Sequence, residues 1–341
     1  MRGAGEGLRW AACELHAHSI HSDGRLQVAE LARYAAGRGL DLIALSDHNT
    51  VSGLAEAAAL GGQYGSEILS AMELTTFYGH ILALGVQDYV EWRGLGREGA
   101  GGAVAEIRSR GGLAGIAHPF RPGNPFCTGC FWEFEGFESG EADYLELWSE
   151  PDPHLAPCNA RAFEQWISLL DRGFRVAATS GTDYHGPGRE GLCATTFLGC
   201  EPGPGALGAA ALAALRRGRV AVSLGARPSL ALGRRGEGRS YGPGEELPPG
   251  PGRLEARAVL LPWRGAASRL PELRAELARF LWRGGSTEAG LAPDPEAGGA
   301  LAAQVELPPS VEGYLRVEFR GSVRGEAALI GFTNPVYLGP A

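Results

Sequence analysis

The chain of 341 residues outruns the ~250–300 at which single hydrophobic cores stop growing, so two domains are expected. Its formal charge of −8, with both signs interspersed, offers no broad cationic face and disfavours nucleic acid and anionic lipid as partners. All 31 basic residues are arginine, which excludes Schiff-base lysine chemistry and the lysine of a phosphate-binding Walker loop.

From about Leu8 to Ser223, β-like runs alternate with helix-like ones, the pattern of an α/β fold with a largely parallel sheet covered by helices. In chain order the predicted elements are a strand at 12–16, a helix at 27–38, a strand at 42–46, a helix at 52–64, strands at 68–71 and 80–85, and a helix at 101–110. Strands at 113–117 and 144–147, a helix at 161–172, a strand at 175–179 and a helix at 205–217 follow. Seven strands with intervening helices suggest a barrel or a distorted relative of one. Beyond Ala226, Gly and Pro crowd 233–252, and the later runs 254–261, 277–282, 302–307, 314–320 and 327–332 read as strands joined by turns. These runs carry no ionisable cluster, and the tail reads as a smaller C-terminal β-rich, sandwich-like module. The low-complexity stretch 285–300 reads as a flexible loop, and the expected division is 1–225 for the barrel and 226–341 for the tail.

Seven of the eight histidines fall in short sites at or beside predicted strand ends. His16 and His18 are two apart, so the period of a strand points both imidazoles the same way. Asp23 follows in a loop; later strands end in Asp47-His48, Met72-Glu73, His118-Pro119 and Asp183-Tyr184-His185, and one begins at Gly79-His80. In a parallel barrel the C-terminal strand ends converge on one mouth, so these residues would meet in space. Carboxylates and imidazoles are costly to bury together unless divalent ions neutralise the carboxylates. One ion needs about four ligands, whereas nine candidates are present: His16, His18, Asp23, His48, Glu73, His80, His118, Asp183 and His185. The excess implies two or three divalent ions with a bridging carboxylate, and a set without thiolates suits Zn, Mn or Fe. A lone histidine such as His154 reads instead as a surface or hydrogen-bonded side chain.

Together His16-Ala17-His18, Ser22-Asp23-Gly24, Ser46-Asp47-His48-Asn49, Glu73, Gly79-His80, Ala117-His118-Pro119 and Ser180-Gly181-Thr182-Asp183-Tyr184-His185 resemble the PHP (polymerase and histidinol phosphatase) superfamily over roughly residues 8–225. Trp10, Val51, the Cys127-Thr128-Gly129-Cys130 turn, the 214–219 run and Thr333-Asn334-Pro335-Val336-Tyr337 look like its carbaryl-hydrolase-type branch. The resemblance implies a distorted seven-stranded barrel with a three-metal site. His16, His18, Glu73 and Asp183 would hold the first ion, Glu73 would bridge to a second on His80 and His118, and Asp23, His48 and His185 would hold a third. His21 sits where the family tolerates many residues, so a pocket-lining role is expected.

The activity expected of such a site is hydrolysis of a small phosphate ester by a metal-bridging hydroxide, since coordination lowers the pKa of water to around ~7 in favourable cases. Catalytic roles are expected for Glu73, Asp183, His185 and Arg121, the last binding non-bridging phosphate oxygens. The same ligands would serve a carbamate or carboxylic ester, and a non-enzymatic metal-binding protein is the reading from another class. Nuclease activity would want a basic channel, against which the acidic charge argues.

Cys127 and Cys130 lack a second pair at zinc-ribbon spacing, so their loop reads as structural or as a substrate lid. The nearby aromatics Phe126, Phe131 and Trp132, with Trp148, suit either an apolar pocket wall or the core. Met1 to Trp10 does not read as a secretion signal, no run is long enough to span a bilayer, and the sparse cysteines read as reduced thiols. A cytoplasmic protein is expected.

Overall fold

The computed structural model of the chain describes residues 7–122, 131–136, 141–188, 191–266 and 272–339. Its first nine strands are β1 (Arg9–Glu14), β2 (Leu42–Leu45), β3 (Glu67–Thr75), β4 (His80–Leu84), β5 (Leu113–Ile116), β6 (Tyr144–Ser149), β7 (Ala177–Gly181), β8 (Thr195–Cys200) and β9 (Val220–Ser223). Five helices accompany them among the described residues: α1 (Val28–Gly37), α2 (Leu54–Leu60), α3 (Ala100–Ser109), α4 (Pro157–Asp171) and α5 (Leu207–Arg216). None is long and apolar enough to cross a membrane.

Helix α1 shows why such segments form. The Gln27 backbone N–H donates to the Glu30 carboxylate at 2.8 Å, closing a capping box. Val28, Leu31, Ala32 and Ala35 then recur on one face and are buried. Helix α4 starts on Pro157, whose missing N–H costs nothing in a first turn, and buries Phe163, Trp166 and Leu170.

The expected largely parallel sheet is corrected in its middle. The pairs β1–β2, β2–β3, β5–β6 and β6–β7 are parallel, but β4 runs antiparallel to both β3 and β5. The physical reason is the tight turn after Thr75: a short connection can only return the chain alongside itself. That reversal has a functional consequence, because it brings His80, at the start of β4, to the same end as the C-termini of the neighbouring strands. The ends of β1 and β7 meet as well, through a parallel bridge between Ala17 and Tyr184, with His18 N–H donating to Tyr184 O at 2.8 Å and Tyr184 N–H to His16 O at 3.0 Å. Strands β8 and β9 were not expected from the sequence; β8 pairs antiparallel with β1, and β9 with β8.

In the tail, 227–234, 254–261 and 301–306 form the centre of a five-stranded antiparallel sheet. The strand Leu273–Trp282 pairs with Tyr314–Val323, which pairs with Glu326–Thr333. Leu230, Leu232, Ala256 and Ala258 from the first sheet share one core with Phe280, Trp282, Val317 and Phe319 from the second. The second sheet also continues the first region's, since Gly331–Thr333 pairs with Ala221–Ser223 of β9.

Two expectations for the tail fail. Most of the supposed flexible loop is ordered: Gly285–Gly290 is a strand that doubles back on Leu273–Trp282 through Arg283 and Gly284, and Gly284 takes the positive φ of +77° that such a turn requires. Nor is the tail free of ionisable clusters. Glu318, buried, accepts from Arg316 at 2.8 Å and Arg320 at 2.6 Å, and the Arg316 guanidinium lies over the rings of Phe163 and Trp166 on α4. The spacing of one charge every second residue along a strand hid this pair of contacts in the sequence.

Candidate metal centre

Strand β1 ends in Glu14, and the next four residues carry His16 and His18 on one side, their ring centroids 5.1 Å apart and both side chains fully buried. Glu73, buried in β3, lies between them and the opposite wall. Its Oε2 is 3.2 Å from His16 Nε2, 3.4 Å from His18 Nε2 and 2.8 Å from His48 Nδ1, while Oε1 is 2.9 Å from His80 Nδ1 and 3.4 Å from His118 Nε2. Asp183 closes the first group, with Oδ1 at 3.2 Å from His16 Nε2 and 3.0 Å from His18 Nε2. Asp23 lies farther out, 61% exposed at its side chain, with Oδ1 at 3.1 Å from His185 Nε2 and 3.5 Å from His48 Nε2.

All nine ligand candidates are therefore brought together. Ligating atoms within 4.8 Å of one another form three groups among the described residues: His16, His18, Glu73 and Asp183; Glu73, His80 and His118; and His18, Asp23, His48 and His185. His18 thus stands in two groups, one more than the family resemblance implied. His118 and Asp183 hold positive φ values of +29° and +52°, backbone strain of the kind that collects where side chains must be aimed.

The electrostatics follow from crowding. Burial alone would push the Glu73 and Asp183 carboxyls up, but His16 beside both, with His48 and His80 at Glu73 and His18 at Asp183, holds them well below the usual carboxylate range. Burial opposes charge on His16 too, yet Glu73, Glu146 and Asp183 raise it well above an ordinary imidazole. His18 is pushed down to about 4, chiefly by burial. The donor set fits divalent cations on a direct observation: His16 Nε2 and Glu73 Oε2 are buried, 3.2 Å apart, and neither has a hydrogen-bond partner of acceptable geometry.

Arg121 reaches the edge of this cluster, bonded through one guanidinium nitrogen to Asp183 Oδ2 and through another to Glu150. His21 turns away: its Nδ1 is 2.9 Å from Ser52 Oγ and its Nε2 3.6 Å from Glu56, outside all three groups. His154 is also outside them. Trp148 packs against Phe332 of the tail and is core, as is Trp132 against Phe134. Cys127, Cys130 and Phe126 lie outside the described residues.

The supporting carboxylates escaped the sequence reading. Glu14 accepts from the backbone N–H of His16 at 3.0 Å and of Thr182 at 2.9 Å, tying β1 to the end of β7. Asp47 accepts from Ser19 N–H, Ser19 Oγ and Ser22 Oγ, each at 2.7 Å, and so shapes the loop that presents Asp23. Glu146 lies 2.9 Å from His16 Nδ1. The available signal was a charged residue inside an otherwise apolar strand, as in Tyr144-Leu145-Glu146-Leu147.

No protein-family model matches the chain. It is similar to a 3',5'-nucleoside bisphosphate phosphatase of Chromobacterium violaceum, 41% identical over 80 residues that make up 22% of this chain and 28% of that protein. It is also similar to a 5'-3' exoribonuclease of Haemophilus influenzae, 38% identical over 63 residues, 18% of this chain and 23% of that one. The chain thus spans less than a third of either relative's length. Among solved structures, a two-domain protein of Bacteroides vulgatus described as containing a predicted PHP-like metal-dependent phosphoesterase superposes with a TM-score of 0.53 at 14% identity, over 97% of this chain and 96% of that one. In fold, then, the chain is an α/β two-domain protein of the PHP-like kind.

Proposed function

We propose that the chain is a metal-dependent phosphoesterase acting on a small phosphate ester. The observation that carries this reading is the placement of Glu73, whose two oxygens face two different sets of imidazoles within 3.4 Å. Two cation sites sharing a carboxylate would suit phosphate ester hydrolysis, in which paired ions stabilise the attacking and leaving oxygens.

His16, His18 and Asp183 would hold one divalent ion with Glu73, His80 and His118 a second, and Asp23, His48 and His185 a third; Zn, Mn and Fe all suit these donors. Such ions supply an activated water near neutral pH and offset charge on the phosphoryl oxygens. The chain's own residues do the rest. Asp183 divides its oxygens, Oδ1 toward the imidazoles and Oδ2 toward Arg121, so the guanidinium is fixed to the cluster's edge where non-bridging oxygens would arrive. Glu73, Asp183, His185 and Arg121 are the residues to which we assign the chemistry. The seven-strand run whose ends meet at Ala17 and Tyr184 is read as a distorted barrel spanning 1–225, with 226–341 as the β-rich module. A cytoplasmic location accords with Cys13, Cys158 and Cys200, which form no disulfide among the described residues. The carbaryl-hydrolase-type branch rests on sequence motifs alone, including that around Asn334; Asn334 itself is hydrogen-bonded to Ala178 of β7.

Elemental analysis of the purified protein, paired with an aryl phosphate, an aryl phosphodiester, an aryl carbamate and a short oligoribonucleotide, tests the reading. The expected result is two or three divalent ions per chain and phosphate ester turnover that Glu73→Gln abolishes. Bound metal with carbamate turnover alone would replace it with the ester-hydrolase reading, and bound metal without any turnover with a binding protein.

A further inference from the structure

Among the described residues, one carboxylate belongs to none of the three ligand groups and yet meets the imidazole of a ligand from inside the protein: Glu146, on β6, with its side chain 1% exposed. Its Oε2 is 2.9 Å from His16 Nδ1, while its Oε1 is buried with no hydrogen-bond partner. A carboxylate sealed from water with one oxygen unsatisfied is a cost to folding. The backbone is shaped to accept it. A Cβ on Gly181 would lie 2.4 Å from Glu146 Oε2 and 2.5 Å from the His16 Cβ, so only glycine at that position lets the carboxylate and the imidazole approach.

We infer that Glu146 is a positioning residue for metal binding, which holds the proton of His16 on Nδ1 and aims Nε2 at the gap between Glu73 and Asp183. This rests on the metal-centre reading above. With Nδ1 as donor, the lone pair of Nε2 faces Glu73 Oε2 and Asp183 Oδ1, each 3.2 Å away, where a cation would be shared. An anion behind the ring also makes the imidazole a stronger donor to a cation. Two other buried ligand candidates lack this support, His18 Nδ1 and His118 Nδ1 having no hydrogen-bond partner, whereas His48 Nδ1 lies 2.6 Å from Thr75 Oγ1 and His185 Nδ1 2.8 Å from the Asp183 carbonyl. Among the ligand histidines, His16 is thus the one whose ring is backed by a carboxylate outside the three ligand groups.

The test compares wild type, Glu146→Gln and Glu146→Ala, measuring Mn²⁺ and Zn²⁺ affinity by competition with a chromophoric chelator and, separately, the melting temperature of the chelator-stripped protein. Outer-shell partners of ligating histidines contribute about 10–100-fold in metal affinity, so Glu146→Ala is expected near the upper end and Glu146→Gln, which keeps an acceptor for Nδ1–H, near the lower end. The stripped Glu146→Gln protein should melt close to wild type, because Gln fills the same space, still accepts from Nδ1–H and leaves Glu73 and Asp183 beside His16. A merely structural residue would move both readouts downward together, and that outcome, or unchanged metal affinity in Glu146→Gln, overturns the inference. Wild type that binds neither ion would overturn the metal-centre reading itself and this inference with it, a result distinct from either of those.

Discussion

Replacing Asn334 by alanine isolates how the tail supports the strands that carry the candidate ligands. Asn334 is fully buried, and its side-chain amide does the work of an absent neighbouring strand for β7: Oδ1 accepts from Ala178 N–H at 2.8 Å and Nδ2 donates to Ala178 O at 2.9 Å. Alanine would leave a buried N–H and a buried C=O unpaired. At about 1–3 kcal/mol for each orphaned group the loss is roughly 2–6 kcal/mol, well above the scatter of surface substitutions. Urea unfolding followed by tryptophan fluorescence is a suitable assay, since Trp148 and Trp166 both lie against Phe332 at the same seam. Because β7 leads directly into Asp183, metal affinity should fall along with stability. Asn334→Asp supplies a control that keeps an acceptor for the N–H but has no donor for the carbonyl, and it too should destabilise. A midpoint shift equivalent to less than about 0.5 kcal/mol in Asn334→Ala would refute the reasoning, because it would mean that Ala178 finds other partners at no cost.

Three further outcomes are expected. Arg121→Ala should lower phosphoesterase turnover by about 100-fold, the scale of losing one preorganised donor to a developing oxyanion, with metal content unchanged by elemental analysis; an unaltered rate removes Arg121 from the mechanism. In the metal-free protein burial opposes charge on His48, but Glu73 and Asp23 hold it up to about 9 from its ordinary 6.5, so it is protonated at neutral pH. Metal loading should then release protons, apparent affinity should tighten as pH rises and level off above about 9, and the stability His48 lends the stripped protein should be present below 6.5 and lost through that same window. Burial opposes ionisation of Glu318, but Arg316 and Arg320 hold its carboxyl below the usual value, so its contribution is present above the unfolded value and lost as pH falls through the folded one. Glu318→Gln should cost about 3–5 kcal/mol at neutral pH and flatten the acid limb of a stability profile recorded by urea titration.

The ligands were legible because strand ends concentrate them into short patterns. His16 and His18 share a face by the strand's period of two, and His48, Glu73, His118 and Asp183 each lie within a few residues of a strand's C-terminal end. Strand direction was not legible, since an apolar run such as 81–84 reads the same in either sense, and only the Thr75 turn makes β4 antiparallel. Strands β8 and β9 were missed because neither carries a ligand candidate to mark its end. The hairpin of 285–290 was hidden by glycines that the sequence presents as low complexity but that the turn at Gly284 requires. Glu14, Glu146 and Asp47 were invisible for a different reason: a residue that supports a ligand needs only a partner across the fold, which spacing along the chain does not reveal.

The pairing of Gly331–Thr333 with β9 bears on how such proteins can be rearranged. A chain ending near residue 225 would leave β9 as an open edge and uncover Trp148, Phe163 and Trp166, which now rest on Phe332. Bare strand edges beside aromatic surface recruit other chains, so the shortened protein should precipitate rather than dissolve. Grafting a different module onto the first half would succeed only if the newcomer brought both a strand to zip onto β9 and an amide to occupy the place of Asn334, which makes the seam itself the unit of inheritance.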